Sequence, residues 1–304
     1  MRIESLHEQL SQFPNIDNFW DFENLQACEQ KIRALLVNET SLETAATSRP
    51  ENLILLARVQ GLQRLFTEAA STLQIARSLL RIDEEQSANS AEIKFLIEQG
   101  RLFSLSMNHS QSLTYYLKAW EQSLKLNDPY YSIEAAMLLS ISQSPKLQNE
   151  WLKKAIDLGE TTQSMVAKKW LPILYAMDGW NSFDFRRFDE SLQNFKKSLE
   201  SLIDEQSPTV SIGLRWNIAR ALRALNRNQE ALDLQVTLST ELSLLGKTNG
   251  HIYLEIAECN QALKKFDEAK TNFELAYKIL SLNSWYADNK PSELSRLQHL
   301  SKKK

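Results

Sequence analysis

The chain has 304 residues, 43% of them hydrophobic and 24% charged, with a net charge of −3 and only seven glycines and seven prolines. These values exclude a disordered or collagen-like chain, and the charge gives no general attraction to nucleic acid or anionic lipid. No run of roughly 18 apolar residues is present, the first residues are too acidic for a signal peptide, and Cys28 and Cys259 read as reduced thiols of a cytoplasmic protein without membrane spans.

In chain order, residues 2–11 are expected to form a weak helix that ends near Pro14. Residues 18–37 predict an amphipathic helix, because Phe19, Phe22, Leu25, Ile32, Leu35 and Leu36 recur at helical spacing behind a cap at Asp17 or Asn18. Residues 38–49 are polar and rich in Thr and Ser, and are expected to connect. Residues 1–49 together read as an N-terminal helical cap and connector.

From Pro50 a pattern returns six times at a spacing of about 40 residues. It is anchored on Ala69, Ser112, Gln148, Ser191, Ala231 and Ala269, expected near the start of the second helix of each unit. Four residues later stands Leu73, Tyr116, Leu152, Phe195, Gln235 or Phe273, large and apolar in all but one. Twelve residues before the anchor stands Ala57, Gly100, Ala136, Gly179, Ala219 or Ala257, small in all six. Two antiparallel helices that cross closely need this combination: a small residue lets the backbones approach, and a large one beside it fills the space. Pro50, Pro129 and Pro172 each precede their anchor by 19 residues and mark the start of a first helix, although a helix begun at Ser164 would put Pro172 at a kink. Pro208 lies four residues earlier in phase and adds a turn. Gly159, Gly246 and Gly250 fall where helices are expected to end. No stretch alternates as a strand would. Beyond the repeats, Leu294, Leu297 and Leu300 predict a terminal helix over 292–301 that covers the last repeat. The array spans 50–282, and 283–304 forms a capping helix with a basic tail.

The sixth unit, with Tyr253, Ile256, Ala257, Phe266, Ala269, Phe273 and Ala276, resembles the tetratricopeptide repeat. The fourth, with Tyr175, Gly179, Phe188, Ser191, Phe195 and Ser198, does so as well, and residues 186–200 look like a standard second helix of that family. Asp178 stands where Leu is usual, and Gln60 and Asn260 where Tyr is usual. The whole order, with Phe19–Phe22, residues 61–69 and residues 215–225, is similar to bacterial tetratricopeptide proteins without an assigned activity. The resemblance implies an all-α, right-handed superhelical solenoid of about six helix hairpins with helical caps. It also implies a protein-binding module and supplies no catalytic residues.

The sequence shows no metal spacing among His7, His109, His251 and His299, no phosphate loop and no nucleophile motif, so no enzyme, metal or cofactor is expected. In a tetratricopeptide solenoid the residue after the small one on each first helix points into the concave groove. Here these are Arg58, Arg101, Met137, Trp180, Arg220 and Glu258, with Asn217 and Arg223 one turn around and Asn181 and Trp216 nearby. Arg58, Arg101, Trp180, Asn181, Trp216, Asn217, Arg220 and Arg223 are therefore the candidate peptide-binding residues. Arginine suits a carboxylate, which it binds with two parallel hydrogen bonds. The alternative is that each arginine pairs with an acid among Glu51, Glu98, Glu134 and Glu255, and that the tryptophans pack between repeats. The leading function is a non-catalytic scaffold for a protein or peptide that is acidic or has a free carboxylate. The alternative is a regulator whose superhelix changes shape when a peptide binds; stacking in a larger complex comes third.

Overall fold

The computed structural model describes residues 24–37, 42–80, 90–203 and 208–302. The expected helix over 2–11, the aromatic run before Asn24, and Lys303 and Lys304 lie outside these residues. Every regular element among them is helical, as the periodicity predicts. The helices are α1 (Leu25–Val37), α2 (Leu42–Leu62), α3 (Phe66–Leu79), α4 (Ser90–Leu105), α5 (His109–Lys125), α6 (Pro129–Ser142), α7 (Pro145–Thr161) and α8 (Met165–Lys168). They continue as α9 (Leu171–Asp184), α10 (Phe188–Glu200), α11 (Pro208–Ala224), α12 (Asn228–Leu244), α13 (Gly250–Ala262), α14 (Phe266–Leu280), α15 (Ser284–Asn289) and α16 (Pro291–Lys302).

The chain divides into two compact units, Met1–Leu174 and Tyr175–Lys304, and the division falls within α9. In the first unit α2 packs on α3, α4 on α5 and α6 on α7 as hairpins, with α5 against α6 joining consecutive hairpins. The second unit repeats the scheme with α11 on α12 and α13 on α14, joined by α10 against α11 and α12 against α13. The anchors sit where the pattern requires. Ala69, Ser112, Ser191, Ala231 and Ala269 are buried, whereas Gln148 of the divergent third repeat is only half-buried. Tyr116, Phe195 and Phe273 are among the most deeply buried large side chains. A Cβ on Gly100 would stand 2.5 Å from the Tyr116 ring, and one on Gly179 would stand 2.4 Å from Phe195. Glycine at those crossings is thus the space an aromatic ring occupies.

The helix starts are partly as expected. Pro129 opens α6 behind Asp128, whose side chain accepts from the amides of Tyr130 and Tyr131. Pro208 opens α11, and Pro172 lies in the first turn of α9 rather than at a kink. Ser164 does start a helix, the single turn α8, but the chain breaks at Lys169 and Trp170 before α9 begins. Residues 42–49 do not connect: they are the first two turns of α2, and Pro50 lies inside that helix. Proline there forfeits one backbone hydrogen bond. Glu43, Ala45 and Ala46, all good helix formers by type, precede it in sequence.

Helix ends also differ from expectation. Gly246 takes the left-handed conformation after α12, with φ of 68°. Gly159 instead lies within α7, where a Cβ would meet Leu171, and Gly250 opens α13 against Leu280. The left-handed positions of the hairpin turns are held by Arg64, Met107, Arg186, Asn226 and Lys264, each five residues before its anchor, with φ between 60° and 63°. At each, the following amide reaches back to a carbonyl five residues earlier: Leu65 to Gln60, Asn108 to Phe103, Arg187 to Ser182, Arg227 to Leu222 and Lys265 to Asn260. This is the Schellman closure that ends a helix tightly. The repeat geometry imposes it on whatever residue occupies the position.

The terminal helix is present as α16, packed on α14, and Leu297 is fully buried there together with Tyr286. The side chain of Trp285 lies outside the description. Cys28 and Cys259 form no disulfide among the described residues, and each is buried within its own unit. No helix among the described residues is long and apolar enough to cross a membrane.

Candidate functional site

The eight candidate residues form two groups, one in each unit. In the first unit Arg58 and Arg101 come together across α2 and α4. Arg101 donates to Glu98, and its second amino group donates to Glu134 of α6 at 2.6 Å. Arg58 lies 3.7 Å from Glu98. Glu98 and Glu134 are buried, so neither carboxylate is left in the interior without a cation. Burial alone would lower both guanidinium pKa values. In Arg101 the two glutamates overcome it and raise the pKa, whereas in Arg58 burial and the neighbouring Arg101 charge leave it lowered. Two guanidiniums thus face two carboxylates. The pairing runs between repeats, from the residue after the small one to a glutamate two residues before the small one in the next repeat.

The second unit uses the same register differently. Glu255 of α13 stands two residues before Ala257, and the residue after the small Ala219 is Arg220. Arg223, one turn further along α11, takes the glutamate instead: its Nε donates to one oxygen at 2.6 Å and its Nη2 to the other at 3.2 Å. Burial opposes the charge on Arg223, and Glu255 more than restores it, raising its pKa. Arg220 approaches the same carboxylate at 3.2 Å through Nε, but out of line for a hydrogen bond, and this buried N–H finds no acceptor among the described residues.

The remainder of the Arg220 guanidinium lies against aromatic rings. Its central carbon is 5.1 Å from the Trp216 ring, 5.3 Å from Trp180 and 5.6 Å from Phe183. Phe183 comes from the same face of α9 as Trp180, at 5.3 Å between centroids, and Trp180 also packs edge-on to Phe195. The Nε1 atoms of Trp180 and Trp216 are buried without an acceptor among the described residues. From Trp216 the rings continue to His251 at 6.3 Å and from His251 to Tyr286 at 5.3 Å. Asn217 is buried beside Trp216 in sequence, and Asn181 is half-buried next to Trp180.

Three donors with no acceptor and one cation without its own carboxylate therefore gather in the second unit. The Arg220 side chain is partly exposed and can receive an anion, whereas the three acceptor-less N–H groups themselves are buried. Two nearby groups are set for structure. Cys259 is fully buried, and burial together with Glu255 pushes its thiol up to about 12, so it stays protonated at neutral pH. Asp178 accepts from Asn194 at 2.8 Å, a polar replacement for the Leu usual there. Among the described residues no group of three or more His, Cys, Asp and Glu could hold a metal ion.

The tryptophans and arginines are legible from the sequence. The glutamates that serve them appear there only as possible neighbours on the same helices. Their signal is register: Glu98, Glu134 and Glu255 each stand two residues before the small residue. Phe183 carries a similar signal, four residues after Gly179 on the face that bears the groove residue.

No protein-family model matches the sequence, and no curated protein matches it. Solved structures do resemble it. The apo form of RapI matches with a TM-score of 0.62 at 12% identity, over 92% of this chain and 81% of that one. A chain of the APC/C hetero-tetramer Cut9-Hcn1 matches with a TM-score of 0.60 at 16% identity over 90% of this chain; only 46% of that longer chain is covered. Aspartyl phosphate phosphatase F from Bacillus subtilis matches with a TM-score of 0.56 at 14% identity, over 99% of this chain and 81% of that one. At these identities the likeness is one of fold, and with the sixfold pattern and its hairpins it makes this chain an all-α protein with a tetratricopeptide-like fold.

Proposed function

We propose that this chain is a non-catalytic cytoplasmic protein that binds a protein or peptide segment, with the second unit receiving a carboxylate at Arg220 and Arg223. The observation that carries this reading is the imbalance around Glu255. Two guanidiniums share one carboxylate, and the one without a hydrogen bond to it lies among three aromatic rings. The partly exposed cation and the rings beside it suit an acidic residue flanked by apolar ones. The balanced cluster of Arg58, Arg101, Glu98 and Glu134 supports a structural role for the first unit's arginines.

The test is thermal stabilisation by acidic peptides of the wild type and of an Arg220→Ala/Arg223→Ala variant. Ligand that binds the folded state alone raises its stability by mass action. We expect stabilisation of the wild type and none of the double variant, each read as a shift from that protein's own midpoint, because the variant leaves buried Glu255 without its cations and melts lower. Equal stabilisation of both would overturn the reading.

A second reading is that peptide binding regulates a partner through a change of shape. The fold-level likeness to RapI, matched in its apo form, favours it. Solution scattering with and without a stabilising peptide separates the two, since only a regulator must change its dimensions.

A further inference from the structure

We infer that Glu255 is an internal stand-in for the ligand's carboxylate: it occupies the arginines in the free protein, competes with the incoming acid, and sets the affinity. This inference rests on the binding reading above and specifies the residue that limits it.

The argument comes from superposing the register of the two units. Arg220 stands where Arg101 stands, one residue after the small one, and Glu255 stands where Glu134 stands. Glu98, two residues before Gly100, corresponds to Asn217, two before Ala219. Ser104, four after Gly100, corresponds to Arg223. The second unit has therefore lost a carboxylate and gained a guanidinium at equivalent places. The consequence is visible in the geometry. Arg101 makes a direct hydrogen bond to Glu134 at 2.6 Å. Arg220 makes none to Glu255, its Nε standing 3.2 Å away but out of line, while Arg223 donates to both carboxylate oxygens.

One added carboxylate restores the two-to-two balance of the first unit. A ligand can add it, but it then sits close to Glu255, a like charge that is itself buried and poorly screened. Neutralising Glu255 removes that repulsion and returns the donors of Arg223 to the ligand. Placing a carboxylate at Asn217 does the reverse, filling the vacant register position from within the chain.

The experiment titrates the full chain with two probes and follows tryptophan fluorescence. An acetylated and amidated tetraglutamate offers only side-chain carboxylates, and an acetylated tetra-alanine with a free end offers only the terminal one. The probe that binds the wild type identifies the source. Glu255→Gln is expected to bind that probe at least about tenfold more tightly, and Asn217→Glu at least about tenfold more weakly. Glu255→Gln leaves two guanidiniums without their acid and will melt at a lower temperature, so titrations are made well below each midpoint. Should it not fold, Asn217→Glu decides alone, and wild-type affinity in that variant overturns the inference. If the wild type binds and Glu255→Gln binds no more tightly, the stand-in role fails while the binding reading survives. If neither protein binds either probe, both fail.

Discussion

Substituting alanine for the crossing glycines should unsettle the protein by an amount that follows from the hairpin geometry. Gly179 lies in α9 with the Phe195 ring directly over it. A Cβ there would stand 2.4 Å from both Cδ1 and Cε1, a full ångström inside the 3.4 Å at which ordinary contact begins. Phe195 is wholly buried and bounded by Trp180 at 5.1 Å, so the ring has nowhere to retreat. Overpacking of this kind costs about 1–3 kcal/mol, and a rigid buried ring belongs at the upper end. Alanine recovers up to about 1 kcal/mol through its better helix propensity. The net expectation for Gly179→Ala is a loss of about 2 kcal/mol. Gly100→Ala should behave alike, with Tyr116 at 2.5 Å. Gly61 supplies the control: its Cβ would meet Leu105 at 3.5 Å and Leu102 at 3.9 Å, both ordinary contacts, so Gly61→Ala should gain about 0.5 kcal/mol. Urea unfolding followed by circular dichroism reads these differences as midpoint shifts at constant slope. Midpoints for Gly179→Ala and Gly100→Ala no lower than that for Gly61→Ala would refute the packing account.

Two further outcomes follow from the turns and from one half-buried acid. Lys264 holds a left-handed φ of 63° at no benefit to its side chain type, so Lys264→Gly should raise stability by on the order of 1 kcal/mol, read as a higher urea midpoint. Asp178 has a pKa raised above its ordinary value, first by burial and then by Glu190. A carboxyl whose folded pKa exceeds its unfolded one binds more protons when folded, so its contribution to stability falls as pH rises from the unfolded value through the folded one. Asp178→Asn keeps an oxygen for Asn194 and should melt higher than the wild type at neutral pH, with the gain shrinking toward acid. A constant gain at all pH values would count against this assignment.

The hairpins were legible because packing imposes them on residue size. A small side chain at Gly179 and a large one at Phe195 are two halves of one contact, and the pairing survives whatever the surface residues do. The turns were less legible for the opposite reason. At Arg64, Met107, Arg186 and Lys264 the closure of the helix end sets φ, and no side chain signals it. Pro50 misled because its phase matched that of Pro129, yet the fold extends α2 backward past it to Leu42. Nothing in the sequence marks the division at Leu174, since α9 has no break there.

Arginines at one repeated position were equally legible, but their chemistry lies in the neighbouring repeat. An ion pair buried between repeats must offset the desolvation of both partners, and it does so only when every charge is matched. The first unit meets that condition: Glu98 and Glu134 answer Arg58 and Arg101. The fourth and fifth repeats depart from it at single positions, with Trp180 in place of an arginine, Asn217 in place of a glutamate, and Arg223 added. These changes leave the hairpin anchors Gly179, Phe195, Ala219 and Ala231 untouched, so the fold does not depend on them. What they alter is the balance of donors and acceptors at one place. With Trp216 standing where the second and third repeats carry Ile97 and Ile133, four substitutions turn a repeat that stabilises its neighbour through a matched pair into one with a cation and two buried indole N–H groups without acceptors among the described residues. On the proposed reading, an array built by repetition acquires its binding site in this way, without a new element of structure.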